Sequence, residues 1–230
     1  MAINIDNVKN IIETKKTNIC LAADVDTMDK IFNLKDLIVS HICILKIHYD
    51  IINDFHIDLD KNIRKLISLK KEYNFLLWED RKFADIGFIM EKQINNISKW
   101  ADLISVHPIA GKESLLYCLE NIDIGIILIG EMSSSNQLIN KEYQNNVIKI
   151  SKELPNIIGI VCQHKMTDDL LNIVPGIALK TDKDNKGQTY SSINERMFAD
   201  IFVLGRSIYQ SNNPIETIKE YKLITNNYYK

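Results

Sequence analysis

Residues 75–88 read FLLWEDRKFADIGF. An unbroken apolar run, Phe75-Leu76-Leu77-Trp78, gives way at once to charge: Asp80, Lys82 and Asp85, with Arg81 between them. Continuous apolar runs of roughly four to eight residues are how strands buried on both faces of a parallel sheet read. If the extended geometry continues past the run, residues 80 and 82 share a face, and the strand tip carries two carboxylates and an ammonium. The plain alternative is a surface salt-bridge cluster, because charged residues usually face water. The place at a strand tip brings chemistry level with that alternative, and both readings stand. Two carboxylates near a bound anion repel it, while a lysine held between them keeps its proton and can deliver it. That arrangement suits a reaction in which negative charge must leave or move.

Similar runs recur along the chain, at 19–24, 42–48, 101–107, 124–130, 157–163, 173–179 and 201–206. Amphipathic stretches of helical character lie between them, among them 27–39, 58–71, 86–100 and 141–154. Ser211-Asn212-Asn213-Pro214 places capping residues before a proline, which predicts a helix over 215–228. Eight βα units in 230 residues predict an α/β fold, a single (β/α)8 TIM barrel domain spanning 1–230. An open doubly wound sheet is the alternative. The polar residues favour the barrel. Asp24, Lys46, His48, Asp80, His107, Gln163 and Arg206 all fall at the C-terminal ends of the runs, the rim on which barrels build their sites.

Composition excludes several classes. A net charge of -2 gives no global attraction to nucleic acid. The lysine pairs 15–16 and 70–71 read as solvated helix faces. No apolar run reaches the length of a membrane span, and the first 16 residues, broken by Asn4, Asp6 and Asn10, do not resemble a signal peptide. Cys20, Cys43, Cys118 and Cys162 are far apart and form no CxxC pair, as expected of buried thiols in a reducing compartment. The expectation is a cytoplasmic enzyme.

Single residues sharpen the picture. Lys46 lies within an otherwise apolar run, so it must meet a counter-charge or a cavity. A structural ion pair is the alternative reading. Asp24 ends the small and apolar run Leu21-Ala22-Ala23, where a free carboxylate suits sugar hydroxyls, although Asp26 and Thr27 are better placed to cap the next helix. His48 and His107 stand alone on strand ends, where structural histidines are common. No spacing of histidines and acids suggests a metal site. Gly205-Arg206-Ser207 after the eighth run, with Gly187-Gln188-Thr189-Tyr190 before it, could bind an anion. Barrels often hold phosphate with these loops, and Arg206 offers a planar donor fork. Ser133–135 have no nucleophile elbow around them, but could hydrogen-bond a planar base.

Eight segments, in order, resemble one family. They are ICLAADV (19–25), CILKIHYDIINDF (43–55), EDRKFADIG (79–87), WADLISVH (100–107), GEMSS (130–134), VPGIAL (174–179), KGQTY (186–190) and VLGRSIY (203–209). The chain is similar to orotidine 5′-monophosphate decarboxylases of the fungal type and of the C-terminal domain of animal UMP synthases. The resemblance implies a cofactor-free decarboxylation of orotidine monophosphate to UMP in pyrimidine biosynthesis. By it, Lys82 would protonate C6 of the pyrimidine. Asp80, Lys46 and Asp85 would complete a charge array, with Asp85 reaching across a homodimer interface. Asp24 would hold the ribose and Ser133 the base. Gln188, Tyr190 and Arg206 would hold the 5′-phosphate, while His48 and Gly205 would lie at the substrate site. No metal or organic cofactor is implied. The alternatives are the Mg²⁺-dependent sugar-phosphate enzymes that share the Asp-x-Lys-x-x-Asp set, and a nucleotide-binding protein without activity. The length leaves no room for the phosphoribosyltransferase fused to the animal domain, so a monofunctional or separated domain is expected. One departure stands out. The family's Asn-Thr after FADIG is here Phe88-Ile89, so a ribose-binding hydroxyl is lost and weaker substrate binding is expected, by roughly 0.5–1.5 kcal/mol.

Overall fold

The computed structural model describes residues 3–120, 122–179, 182–183 and 189–226. Seven strands come first: β1 (Ile19–Ala22), β2 (Ile44–Ile47), β3 (Leu76–Phe83), β4 (Leu103–Val106), β5 (Gly125–Ile129), β6 (Ile157–Val161) and β7 (Leu171–Val174). A small three-stranded sheet follows, made of β8 (Ile177–Ala178), β9 (Asp182–Lys183) and β10 (Thr189–Ser192). β11 (Ile201–Leu204) then pairs in parallel with both β1 and β7 and closes an eight-stranded barrel. Each of the eight apolar runs overlaps one barrel strand, so the barrel, rather than the open sheet, is the architecture.

The helices are α1 (Ile5–Lys15), α2 (Met28–Phe32), α3 (Lys35–His41), α4 (Leu59–Tyr73), α5 (Gly87–Asn95), α6 (Lys112–Leu119), α7 (Lys141–Glu153), α8 (Arg206–Tyr209) and α9 (Pro214–Asn226). Three sequence expectations need correction. The stretch 27–39 forms two helices, because the chain tightens at Leu34, whose N–H bonds the Ile31 carbonyl three residues back at 3.0 Å. The run 173–179 is split between β7 and β8. Pro175 has no N–H to continue the ladder, and Gly176 takes φ 73. The lysine pairs are not plain solvated faces. Lys15 donates to the Tyr73 carbonyl at 2.6 Å, and Lys70 pairs with Asp102 at 2.9 Å, whose other oxygen accepts from the Leu77 N–H. As expected, Thr27 caps α2 and Pro214 starts α9.

Two apolar clusters follow from strand alternation. Ile19, Leu45, Leu77, Ile104 and Phe202 point outward and pack under the helices. Cys20, Ile44, Leu76, Leu103, Ile127, Ile173 and Ile201 point inward and fill the barrel. The inner cluster also contains Val8 and Ile12 of α1, so that helix plugs one end of the barrel. Its start is fixed by a capping box in which Asn4 and Asn7 each accept the other's backbone N–H at 2.9 Å. The four cysteines are buried and free. Among the described residues no helix is long and apolar enough to cross a membrane.

Ile12 is fully enclosed between α1 and the barrel floor. Ile12→Ala is therefore expected to lose about 2–5 kcal/mol in chemical denaturation. A loss below about 0.5 kcal/mol would mean that α1 is not a structural plug.

Candidate active site

The β3–β4 ladder is broken where the charges sit. Trp78 pairs with Leu103 and Glu79 with Ile104, but the next pair is Phe83 with Val106. Asp80, Arg81 and Lys82 thus stand opposite Ser105 alone. Within this bulge Lys82 takes φ 62, a left-handed conformation that few non-glycine residues adopt. Asp80 and Lys82 do share a destination, as expected, but by a bulge and a left-handed residue instead of regular extended geometry. Arg81 turns the other way, with its Nε 3.8 Å from Asp50 and its guanidinium over the Phe83 ring.

Asp80 is the hub. Its Oδ2 lies 2.9 Å from Lys46 Nζ, 2.9 Å from Lys82 Nζ and 3.4 Å from His48 Nε2. Its Oδ1 accepts the Ser105 hydroxyl, which in turn accepts the Trp78 indole N–H at 2.9 Å. Lys46 also reaches Asp24 at 3.3 Å and His48 Nε2 at 2.9 Å. Burial by itself would raise the pKa of Asp80. Lys46, then the His48 hydrogen bond and Lys82, outweigh it and hold the carboxyl well below the usual range. Burial likewise opposes the charge on Lys46, but Asp80 and Asp24 overcome it and raise its pKa above that of an ordinary lysine. Lys46 is therefore the ion-paired lysine that its apolar run required.

These groups line a cavity of about 290 Å³ at the C-terminal ends of the strands. The small end of the range for ligand pockets begins near there, roughly 300 Å³. Asp24, Lys46, His48, Asp80, Lys82, Ser133, Tyr190, Gly205 and Arg206 all line it. Gly205 leaves room there, since a Cβ would stand 3.0 Å from the Ala22 carbonyl oxygen, a tight contact. The Arg206 guanidinium lies 5.9 Å from the Tyr190 ring centre. Gln188 lies outside the described residues. Asp85 does not line the cavity of its own chain; its Oδ1 accepts the Ile86 N–H at 2.8 Å. His107 also lies elsewhere, with Nδ1 3.3 Å from the Tyr143 hydroxyl.

Several participants lie beyond the residues expected from the sequence. Trp78 and Ser105 join the hub, and Ser105 could have been flagged, like Lys46, as a polar residue inside an apolar run. Glu131 was also missed. Its carboxylate accepts from the Gln163 and His164 backbone N–H groups and from Gln144 Nε2, so it ties the Ser133 loop to the β6 end. Gln163, placed on the rim by its run, donates to the Pro175 carbonyl at 3.1 Å and steadies the far wall.

A profile of the Orotidine 5'-phosphate decarboxylase / HUMPS family matches residues 17–221. The chain belongs to this family. It is 35% identical to Uridine 5'-monophosphate synthase of Bos taurus, over 92% of this chain and 46% of that protein. It is 32% identical to Orotidine 5'-phosphate decarboxylase of Pichia kudriavzevii, over 93% of this chain and 88% of that one. The Rhizomucor pusillus enzyme of the same name is 34% identical, over 92% and 86%. The chain thus spans less than half of the bovine protein and most of the two fungal ones. Among solved structures, orotidine 5'-monophosphate decarboxylase from Methanocaldococcus jannaschii superposes with a TM-score of 0.71 at 23% identity, covering 91% of this chain and 99% of that one. The Pyrococcus horikoshii enzyme gives 0.70 at 21%, covering 90% and 98%. At that identity the likeness is one of fold.

Within this family member two further acids, Asp50 and Glu79, gather beside His48. His48, Asp50 and Glu79 bring one ligand atom each within 4.8 Å of one another. Two cations lie beside this group, with Lys46 Nζ 2.9 Å from His48 Nε2 and Arg81 Nε 3.8 Å from Asp50. Glu79 is fully buried, and one of its oxygens accepts the Tyr49 N–H at 2.9 Å. The other oxygen has no partner among the described residues. Burial pushes its pKa up to about 8, against the opposing pull of the Tyr49 hydrogen bond.

A carboxyl raised in the folded state favours the protonated chain. The unfolded chain ionises first, from its ordinary pKa near 4.5 up to about 8. In that window stability should fall as pH rises, by up to about 1.4 kcal/mol per pH unit. Glu79→Gln is expected to remove this slope in denaturation curves taken from pH 5 to 8. An unchanged slope would show that Glu79 is ionised in the folded protein.

Proposed function

We propose that this chain decarboxylates orotidine 5′-monophosphate to UMP and CO2, without metal or organic cofactor. The observation that carries the reading is the Lys46–Asp80–Lys82 ladder, in which one buried carboxylate holds two ammoniums at the barrel rim. Family membership supplies the substrate class.

The chemistry follows from that ladder. When the bond from C6 to the carboxylate breaks, its electron pair stays on C6 as a localised carbanion. The Lys82 ammonium stabilises this charge through space and then gives up a proton to C6, leaving a neutral amine that solvent reprotonates. Asp80 keeps Lys82 and Lys46 charged before the substrate arrives, so the field is organised in advance. Asp24 and Lys46 face the ribose, and Ser133 faces the base. Tyr190, Gly205 and Arg206, with Gln188, receive the 5′-phosphate. Binding energy from the phosphate end then supports the chemical step at the other end of the ligand.

The reading includes a homodimer. Asp85 is the one member of the charge array that does not face its own cavity, which fits a role in the site of a second copy. Exposed apolar side chains Ile86, Phe88 and Ile109 follow β3 and β4 and suit a buried contact. The free buried cysteines suit a reducing cytoplasm.

Two measurements test this function. Loss of orotidine monophosphate ultraviolet absorbance is expected to proceed unchanged in EDTA and to fall by at least about 10²–10⁴-fold in Lys82→Ala. Turnover that EDTA abolishes would point instead to the metal-dependent branch of the family. For the shared site, Lys82→Ala and Asp85→Ala chains are each expected to be inactive alone. Mixed, they should regain part of the wild-type rate, because one site in the mixed dimer keeps both residues. No recovery in a proven mixed dimer would place Asp85 in its own chain's chemistry.

A further inference from the structure

The hydrogen-bond chain behind Asp80 has a forced direction. An indole N–H can only donate, so the Ser105 oxygen must accept from Trp78. Ser105 has one proton, and among the described residues its other hydrogen-bond partner is Asp80 Oδ1. All three groups are buried, Ser105 and Trp78 to 1% exposure or less, so water does not compete. The two carboxylate oxygens of Asp80 are thereby given different tasks. Oδ1 is held by a neutral donor chain, while Oδ2 is left for Lys46, Lys82 and His48.

The position of Ser105 makes this more than an extra hydrogen bond. Ser105 is the one β4 residue that faces the bulged segment Asp80–Arg81–Lys82, where the β3–β4 ladder pairing lapses. Without a ladder, the orientation of the segment rests on side chains. Lys82, in its left-handed conformation, follows Asp80 by two residues and bonds both its carbonyl, at 3.2 Å, and its carboxylate. A rotation of the Asp80 carboxylate would therefore carry the Lys82 ammonium with it. Trp78 adds a second link, because its ring lines the same cavity.

We propose that Trp78 and Ser105 are positioning residues, a one-way relay that locks the Asp80 carboxylate across the bulge and so aims Lys82 at the reacting carbon. The relay rests on the decarboxylase reading for its consequence, but its existence can be tested without it. Neither residue transfers a proton to substrate. Their contribution is orientation, and misplacing a reacting group by about an ångström costs about a hundredfold.

The test uses Ser105→Ala, Trp78→Phe and the double variant in the full chain. Ser105→Ala is expected to lower kcat about 10- to 100-fold while KM stays within about threefold. The double variant should be no slower than Ser105→Ala alone, because the two residues act as one unit. Independently of any activity, Ser105→Ala in a Trp100→Phe background should shift the Trp78 fluorescence to the blue as its indole loses its acceptor. A kcat within twofold of wild type, losses that multiply in the double variant, or an unmoved emission would each overturn the relay. If Ser105→Ala does not fold, Trp78→Phe alone carries the test, with a kcat loss of about 3- to 10-fold expected and no loss overturning it. Should wild type fail to turn over orotidine monophosphate, the decarboxylase reading falls, and the emission shift still decides the relay.

Discussion

A carboxylate buried at the mouth of the barrel sets the terms for everything around it. Removing an ion from water costs several kcal/mol, and a buried charge survives only when it is paired and fully hydrogen-bonded. Asp80 meets both conditions, through two ammoniums, a histidine and a hydroxyl. The dependence is mutual. Lys46 sits inside the barrel wall, where burial opposes its charge and Asp80 and Asp24 favour it. No single charge in this set can leave without stranding the others. The site is therefore charged and organised before any ligand enters, which is the condition under which electrostatic stabilisation of a transition state costs no reorganisation.

The barrel makes this affordable by separating its two ends. Toward the N-terminal ends of the strands, the interior is Cys20, Ile44, Leu76 and Leu103, sealed by Val8 and Ile12 of α1. One or two inward positions later the same strands deliver Lys46, Asp80 and Ser105. The charged layer thus rests on an apolar layer that water cannot enter from below. Glu79, one residue from Asp80, faces the opposite way and has a carboxyl whose burial favours a proton. Adjacent acids in one strand are driven to opposite protonation preferences by the face each occupies.

This division explains what could be read from the sequence. The barrel was legible because parallel strands buried on both faces leave unbroken apolar runs, and because rim residues interrupt those runs at their C-terminal ends. Asp24, Lys46, His48, Asp80 and Arg206 were legible for the same reason, and Lys82 from its spacing to Asp80; the same reasoning put His107 on the rim, where it does not line the cavity. Trp78 was not, since an apolar run hides an indole whose polar atom is one N–H; Ser105 breaks its run as Lys46 does, but a small hydroxyl there carries no charge that demands a partner. The split at Pro175-Gly176 was visible as residues but was read through, because the flanking Val174 and Ile177 continue the apolar pattern. Lys70 reads as one of a solvated pair until Asp102, 32 residues away, arrives beside it. Long-range pairs of this kind have no local signature. Gln188, which the resemblance assigns to the phosphate, lies outside the described residues.

The bulge underlies each of these placements. A regular β3–β4 ladder would send Asp80 and Lys82 to one face and Arg81 to the other, with the chain continuing along the sheet. The bulge keeps that alternation but shortens the path, so that Lys82 Nζ folds back onto the Asp80 carbonyl and carboxylate. It also turns the chain outward, away from the cavity, before Asp85 is reached. One backbone irregularity thereby sends neighbouring charges to three places: the cavity, the Asp50 cluster and the outer surface beside Ile86. A left-handed non-glycine residue costs of order 1–3 kcal/mol. The ion pairs and the hydroxyl that converge on Asp80 offset that strain, which is why the strained residue and the most heavily bonded one stand two positions apart.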